Sequence, residues 1–571
     1  MMDKYNENLL TLQTNYIYMK TIRILLILLC CTAAVTLASC EKTSAENETD
    51  ITDKEVQEYE KYLDPQKVSS YRIPIYEVYK TAYEEASGGN GSEEDEMIAQ
   101  WAKVHMDAMY KQAEEYANKQ GGNDLSPAIN AWLEDVLLEV HTFTYNTKGA
   151  DGKDVRLSSL IAWPWGLIWN PRPEYVILGT HCTIGSNDER PTNYDNLKLA
   201  TDVRIIVGQW ASSSTSIELG GILTDLILDP AECLVVMPDY EGYGNTSDRP
   251  QPYLNREVQA RQCVDAVQAG IIYCRKENKE LTDGWKIISM GYSQGGALAA
   301  ASYRHYLENK TTRYKGMPWA GALCGDGPYD PFQTLSYYVL YDILDMPCAP
   351  ALVIKGMVDT DPEMIAAGVK LSDYLTPEFI ETGIFEGIDS KNKTTSQLDE
   401  MVYSYIKNHP DGKLKLNPEY SPSRIVMTST VLLDDVYAYI KGGGMVPSKV
   451  SEERKKKLEL LGHCLRKNAL FYKSYKENWT PPADAKFTFF HAPGDKVVPD
   501  LNLTSVRQAW GDEWGSSSAH ARYILFEAGV DGHTDVGTQF MLGSMIPETY
   551  KFIKGTWKAG YERKTDKAWK P

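Results

Sequence analysis

The 571-residue sequence contains no Cys-x-x-Cys and no His-Glu-x-x-His. Zinc sites built on thiolate or imidazole pairs at those spacings therefore have no support. It also lacks any basic block, and its 59 lysines and arginines face 78 acidic residues, for a net charge of −19. That balance argues against a nucleic-acid partner, because phosphate binding needs a basic surface. The acidic excess reads as solubility. Ten cysteines occur singly or as the pair Cys30-Cys31. Setting aside Cys30, Cys31 and Cys40 leaves seven, an odd number that does not describe a complete disulfide framework. Long apolar runs are missing too. Ile24 to Leu37 is the main one, and it is too short to span a bilayer comfortably.

That run has a different use. Met19-Lys-Thr-Ile-Arg supplies positive charge before it, and Leu37-Ala-Ser-Cys40 ends it with small residues, which is the order of a secretory signal. Leu-Ala-Ser-Cys resembles a bacterial lipobox, with Cys40 as the lipidated first residue of the mature protein. Residues before Met19 have no signal character, so translation is expected to start there. Glu41 to Asp53 is polar and charged and reads as a tether. The expectation is a protein of the bacterial cell envelope, held at a membrane (the outer one, facing the periplasm or the surface) by acyl chains rather than a spanning helix.

The remaining chain is 43% hydrophobic over its full length, enough for a sizeable core. Residues 54–132 read as a helical extension, with apolar residues at three- and four-residue spacing in Glu55–Leu63, Ile75–Glu85 and Glu93–Ala117. From Leu138 onward short apolar runs alternate with helical stretches such as Ser216–Leu228 and Glu257–Arg275. Leu138–Tyr145 and Val155–Trp163 form a hairpin pattern, and Tyr175–Leu178, Leu234–Met237 and Ile287–Met290 read as buried strands. Such alternation predicts an α/β fold with a mostly parallel sheet, in which ligands lie beyond the carboxyl ends of the strands. Residues 331–480 break the rhythm with helical pieces and read as an inserted cap. Segments 133–330 and 481–571 would then form one catalytic domain around it.

Gly291-Tyr-Ser293-Gln-Gly-Gly sits between the Ile287–Met290 strand and the alanine-rich run Ala297 to Ser302. Strand, Gly-x-Ser-x-Gly, helix is the setting of a nucleophile elbow, where a sharp turn exposes the serine at the sheet edge. By itself the pattern would arise by chance in roughly one chain in five of this length, given the usual abundance of Gly and Ser. Serine chemistry also needs a base, and the base needs a carboxylate to orient it. Asp495 lies in the loop after the strand Ala485 to His491, and His533 follows the strand that ends near Leu525. Asp531 and Asp535 are nearer to His533 in sequence, but residues two away along a loop seldom face the ring. The loop His181-Cys182-Thr183 follows a strand end and suits an oxyanion donor. Gln294 N–H would be one donor, and Thr183 or Cys182 the other.

These segments together resemble an α/β-hydrolase of the lipase/esterase kind, similar to capped secretory lipases and related bacterial esterases. The resemblance rests on Gly291-Tyr-Ser-Gln-Gly-Gly, Pro238-Asp-Tyr-Glu-Gly-Tyr-Gly, His491-Ala-Pro-Gly-Asp-Lys-Val-Val-Pro and Gly532-His533. It covers roughly residues 135–330 and 480–560. Where the family commonly has His-Gly-x, this chain reads His181-Cys-Thr. The resemblance implies cleavage of carboxylic esters, of small-molecule, lipid or glycan origin, by Ser293, His533 and Asp495 through an acyl-enzyme, with no metal or organic cofactor. A serine peptidase on the same fold, and a surface lipoprotein that binds without catalysis, are the alternatives. No sequence feature specifies an oligomeric state.

Overall fold

The computed structural model describes residues 50–88, 93–121, 124–168, 170–193, 233–512, 520–527 and 532–565. The signal segment, Cys40, the tether, Ser216–Leu228 and Asp531 lie outside these. The chain divides between Lys54 and Glu55 into two units, and the second carries the sheet and the site.

Helices α1 (Asp50–Leu63), α2 (Ile75–Ser87), α3 (Glu93–Gln120) and α4 (Ser126–Asp135) match the periodic segments. The extension is not wholly helical, however. Residues Gln66–Pro74 form strand β1, paired antiparallel with β2 (Leu137–Lys148) from Gln66↔Thr144 to Pro74↔Leu137. Its side chains alternate between exposed and half-buried, as an edge strand's do, so too little apolar surface marks it in the sequence. β2 turns through Gly149 to Lys153 into β3 (Asp154–Trp165).

The ten-stranded sheet runs β1-β2-β3-β5-β4-β6-β7-β10-β11-β12. The later strands are β4 (Tyr175–Thr180), β5 (Cys233–Pro238), β6 (Lys286–Tyr292), β7 (Trp319–Gly325), β10 (Phe487–His491), β11 (Ala521–Phe526) and β12 (Gly560–Lys564). From β5 across to β12 all neighbours are parallel, so their carboxyl ends share one edge. β8 (Tyr472–Ser474) and β9 (Glu477–Asn478) form a separate small hairpin.

Period-two alternation divides each central strand between two helical layers. In β6, Ile287 packs with Val264 and Val267 of α5 (Arg256–Lys276) and Leu298 of α6 (Gln294–Asn309). Ile288 and Met290 point the other way, into a cluster with Tyr79, Trp132, Val536 and Met545. Each such side chain contributes about 1.5–3 kcal/mol by leaving water, and a one-residue slip would expose all of them.

Between β7 and β10 lies the insertion. It includes α7 (Pro331–Tyr341), α8 (Cys348–Thr360), α9 (Thr395–Asn408), α10 (Asp434–Lys441) and α11 (Glu452–Lys467), joined by shorter helical turns. Its starts are locally encoded. The Asp330 carboxylate caps Phe332 and Gln333 N–H with Pro331 at the first helical position, and Thr394 forms a capping box with Gln397. These helices bury their own apolar cluster, distinct from the two layers of the sheet, in which Tyr253 and Leu254 of the body also take part.

After β10 come α12 (Leu501–Trp510), β11, α13 (His533–Thr538), a π-helical stretch and α14 (Met545–Ile553). Two expectations change here. His533 opens a helix, His533–Thr538, instead of lying on the loop that follows the strand ending near Leu525. And β11 is not the last strand, since β12 adds a further edge strand of polar and charged residues. The cysteines from Cys182 to Cys464 are buried as thiols. Among the described residues no helix is long and apolar enough to cross a membrane.

Candidate active site

Ser293 occupies the tight turn between β6 and α6, at φ 58° and ψ −124°. A non-glycine residue holds this conformation only when its surroundings over-determine it. Here Ser293 N–H donates to the Gly325 carbonyl at the end of β7 (2.9 Å), and its carbonyl accepts Ala297 N–H (3.1 Å). The flanking glycines are required by β4, which runs alongside. A Cβ on either Gly291 or Gly295 would overlap the main-chain oxygen of Thr180. The Thr180 hydroxyl lies within hydrogen-bond distance of the carbonyls of Met290 (2.9 Å) and Gly295 (2.7 Å), tying strand end and helix start together.

The three residues expected to act together meet at the carboxyl edge of the sheet. His533 Nε2 is 2.8 Å from Ser293 Oγ, and His533 Nδ1 is 2.6 Å from Asp495 Oδ2. Asp495 is buried, and its other oxygen accepts the N–H groups of Val497 (2.8 Å) and Val498 (3.0 Å). Burial raises the Asp495 carboxyl, but the neighbouring His533 and these amides outweigh it and hold the group below the usual carboxylate range. Burial lowers His533 in turn, and the Asp495 charge outweighs that, so the imidazole lies above its ordinary value. The Tyr292 hydroxyl donates to the His533 carbonyl (2.5 Å) and fixes its main chain to β6. Sequence reasoning missed Tyr292. It is the variable residue of Gly-x-Ser-x-Gly, and only the position of α13 gives it a role.

The 181–185 loop stands beside the elbow. Tyr240 donates to the His181 carbonyl (2.8 Å) and stacks on its ring at 3.8 Å between centroids. Tyr243 donates to the Ile184 carbonyl (2.7 Å), and the Tyr253 hydroxyl bonds Thr183 Oγ1 (2.7 Å). The expected Pro238-to-Gly244 loop thus acts as a clamp on this one. Burial pushes His181 down to about 4, so the ring is neutral. Thr183 faces the cavity that contains Ser293, whereas Cys182, though adjacent and buried, is not part of its wall. Gln294 is fully buried at the first position of α6, where main-chain N–H groups have no carbonyl one turn earlier to bond.

The cavity over Ser293 encloses about 580 Å³ not filled by atoms, part of it open to solvent. Cap side chains Leu335, Met346, Val353 and Ile354 line it, together with Val497 and Val498 of the acid loop, and among the described residues its wall holds no charged side chain. Tyr338 of α7 donates to the Val497 carbonyl, so cap and acid loop are joined. Among the described residues no group of three or more His, Cys, Asp or Glu side chains is arranged to hold a metal.

No protein-family model and no curated protein matches the chain. Solved structures do. A Legionella pneumophila protein classed provisionally as a hydrolase superimposes with a TM-score of 0.51 at 15% identity, over 78% of this chain and 95% of that one. The rice cell wall degrading esterase LipA from Xanthomonas oryzae matches at 0.49 and 17% identity, over 74% and 92%. Candida antarctica lipase A in its closed state matches at 0.44 and 12%, over 74% and 78%. The protein has the α/β-hydrolase fold expected of it.

Proposed function

We propose that this α/β-hydrolase-fold protein is a serine esterase acting on carboxylic esters with an apolar acyl or alcohol part. One observation carries the reading: the continuous chain Asp495–His533–Ser293, with bonds of 2.6 and 2.8 Å, ends at the floor of an apolar cavity. With Nδ1–H held by Asp495, the neutral imidazole presents the Nε2 lone pair to Ser293 Oγ. Oγ attacks the ester carbonyl carbon as its proton passes to Nε2. The oxygen that gains charge is met by the Gln294 N–H and, from the opposite loop, the Thr183 N–H. Collapse of the tetrahedral adduct breaks the bond to the alcohol oxygen, which takes the proton from Nε2. Water, deprotonated by the same nitrogen, then cleaves the acyl-enzyme and restores Ser293.

Esters are favoured over peptides because the described wall of the cavity is lined by apolar side chains such as Leu335, Val353 and Ile354, which suit an acyl chain. The test is hydrolysis of p-nitrophenyl acetate, butyrate, octanoate and palmitate beside Ser293→Ala. Turnover that is lost in the variant, and better on butyrate or octanoate than on acetate, supports the reading. Turnover that survives in Ser293→Ala sinks it, as does a preference for aminoacyl-p-nitroanilides. From Leu37-Ala-Ser-Cys40 we also infer a lipid anchor in the bacterial envelope. Metabolic labelling with a fatty acid should mark the protein and not Cys40→Ala.

A further inference from the structure

Behind the triad, the ends of β7 and β10 carry a second carboxylate–imidazole pair. Asp326 follows β7, and His491 closes β10. Asp326 Oδ1 lies 2.5 Å from His491 Nδ1, Oδ2 accepts Ala492 N–H at 3.2 Å, and Asp326 N–H donates to the Phe490 carbonyl at 2.8 Å. Both side chains are 1% exposed. Asp326 sits at φ +33°, in the left-handed region that aspartate adopts more readily than most residues. Among the described residues His491 Nε2 is buried with no hydrogen-bond partner, and Asp500 Oδ1 lies 3.5 Å away.

Packing alone does not call for this arrangement, since an apolar pair fills a buried site at lower desolvation cost. Its location suggests what it does. The residue before Asp326, Gly325, receives the Ser293 N–H, and the residue after His491, Ala492, begins the loop that presents Asp495. One buried aspartate therefore borders both the nucleophile turn and the acid loop.

We propose that Asp326, acting with His491, is a positioning residue of the hydrolytic site: it fixes the loop that presents Asp495, and its negative charge belongs to the field in which His533 accepts the Ser293 proton. This rests on the serine-esterase reading above. The charged and titratable groups around the pair are consistent with it. His533 faces Asp495, Asp326, the cap residue Asp345 and Tyr292, while His491 faces Asp326, Asp500 and Asp495. Burial lowers His533, and the carboxylates, Asp495 first and then Asp326, more than reverse it. Burial, reinforced by the nearby Asp495 charge and opposed by His491, pushes Asp326 up to about 7, so its full negative charge acts on His533 above that pH.

The test is Asp326→Asn, which keeps the shape and an acceptor for Ala492 N–H but removes the charge. The His533 midpoint is read by NMR titration of its Cε1–H resonance, assigned through its loss in His533→Gln. It should fall by roughly half a pH unit or more, and the acid limb of kcat/KM for p-nitrophenyl butyrate should move down with it. A folded Asp326→Asn protein with the wild-type midpoint and wild-type kcat overturns the proposal. Should that variant fail to fold, Asp326→Glu decides. Its longer arm displaces the loop, so kcat falls while the midpoint holds, and an unchanged kcat overturns the positioning role. The titration needs no substrate. Absence of ester turnover in the wild type would therefore refute the esterase reading while leaving the His533 shift measurable.

Discussion

Asp495→Asn isolates the tautomer from the rest of the site. An asparagine fits the space, and its amide oxygen would still accept the Val497 and Val498 N–H groups that now bond Asp495 at 2.8 and 3.0 Å. Its NH2 then faces His533 Nδ1, where a carboxylate oxygen now stands at 2.6 Å. Two donors cannot share that contact, so Nδ1 becomes the acceptor and the proton moves to Nε2, pointing at Ser293 Oγ. The ring is then unable to take the serine proton. This geometry predicts a fall in kcat of about 10³- to 10⁴-fold, or roughly 4–5.5 kcal/mol in the barrier, with KM little changed. Steady-state hydrolysis of p-nitrophenyl butyrate measures it, with a thermal melt confirming the fold. The same variant carries a stability signature. A depressed Asp495 contributes stability above its unfolded value of about 3.9, and that stability is lost as pH falls through the lower folded value. Asp495→Asn should lack this part of the acid dependence. A folded variant that loses less than about tenfold in kcat would mean that another group orients His533, and the reasoning would be wrong.

Three further outcomes follow from the site. Because His533 acts as a base only when neutral and lies above its ordinary value of about 6.5, the acid limb of a kcat/KM profile should fall above that pH. The charged His533–Asp495 pair stabilises the fold fully below the unfolded histidine value and stops doing so as pH rises through the folded one, so melts across the same range should show activity and this stabilisation running in opposite directions. Tyr253→Phe removes the 2.7 Å bond to Thr183 Oγ1 and leaves that hydroxyl buried alone. A cost of about 1–3 kcal/mol in stability and a lower kcat at similar KM are expected, by melts and steady-state rates. Val353→Trp fills the cavity from the cap side. Acetate turnover should survive while octanoate turnover is lost, and an unchanged chain-length profile would place the acyl group elsewhere.

What was legible in the sequence was local. The elbow, the buried runs of β4 to β7, and Asp495 and His533 as polar residues just after strands all stand in patterns a few residues long, because sterics at a turn and period-two burial act over that distance. The structure places Ser293 and Asp495 each within hydrogen-bond distance of His533. What escaped depends on neighbours remote in sequence. Tyr292 reaches a histidine 241 positions away, and Asp326 a histidine 165 positions away. Strands β1 and β12 lie at sheet edges, where one side stays in water and apolar periodicity is weak. His533 is expected on the loop that follows the strand ending near Leu525, yet a helix starts at His533 itself. Thr183 and Cys182 are adjacent and equally suited in sequence, and of the two only Thr183 lines the cavity over Ser293.

The bond from Tyr338 to the Val497 carbonyl gives the cap a second meaning. Helix α7 holds the residue whose own N–H supports Asp495, so the covering of the site and its chemical competence are one mechanical unit. A cap that swung away with α7 would pull on the same peptide that steadies the acid, and the exposed serine would be left with a loosened base. On the proposed reading, access and reactivity would then alternate rather than coincide, with an open form admitting substrate and a closed form holding the acid in place.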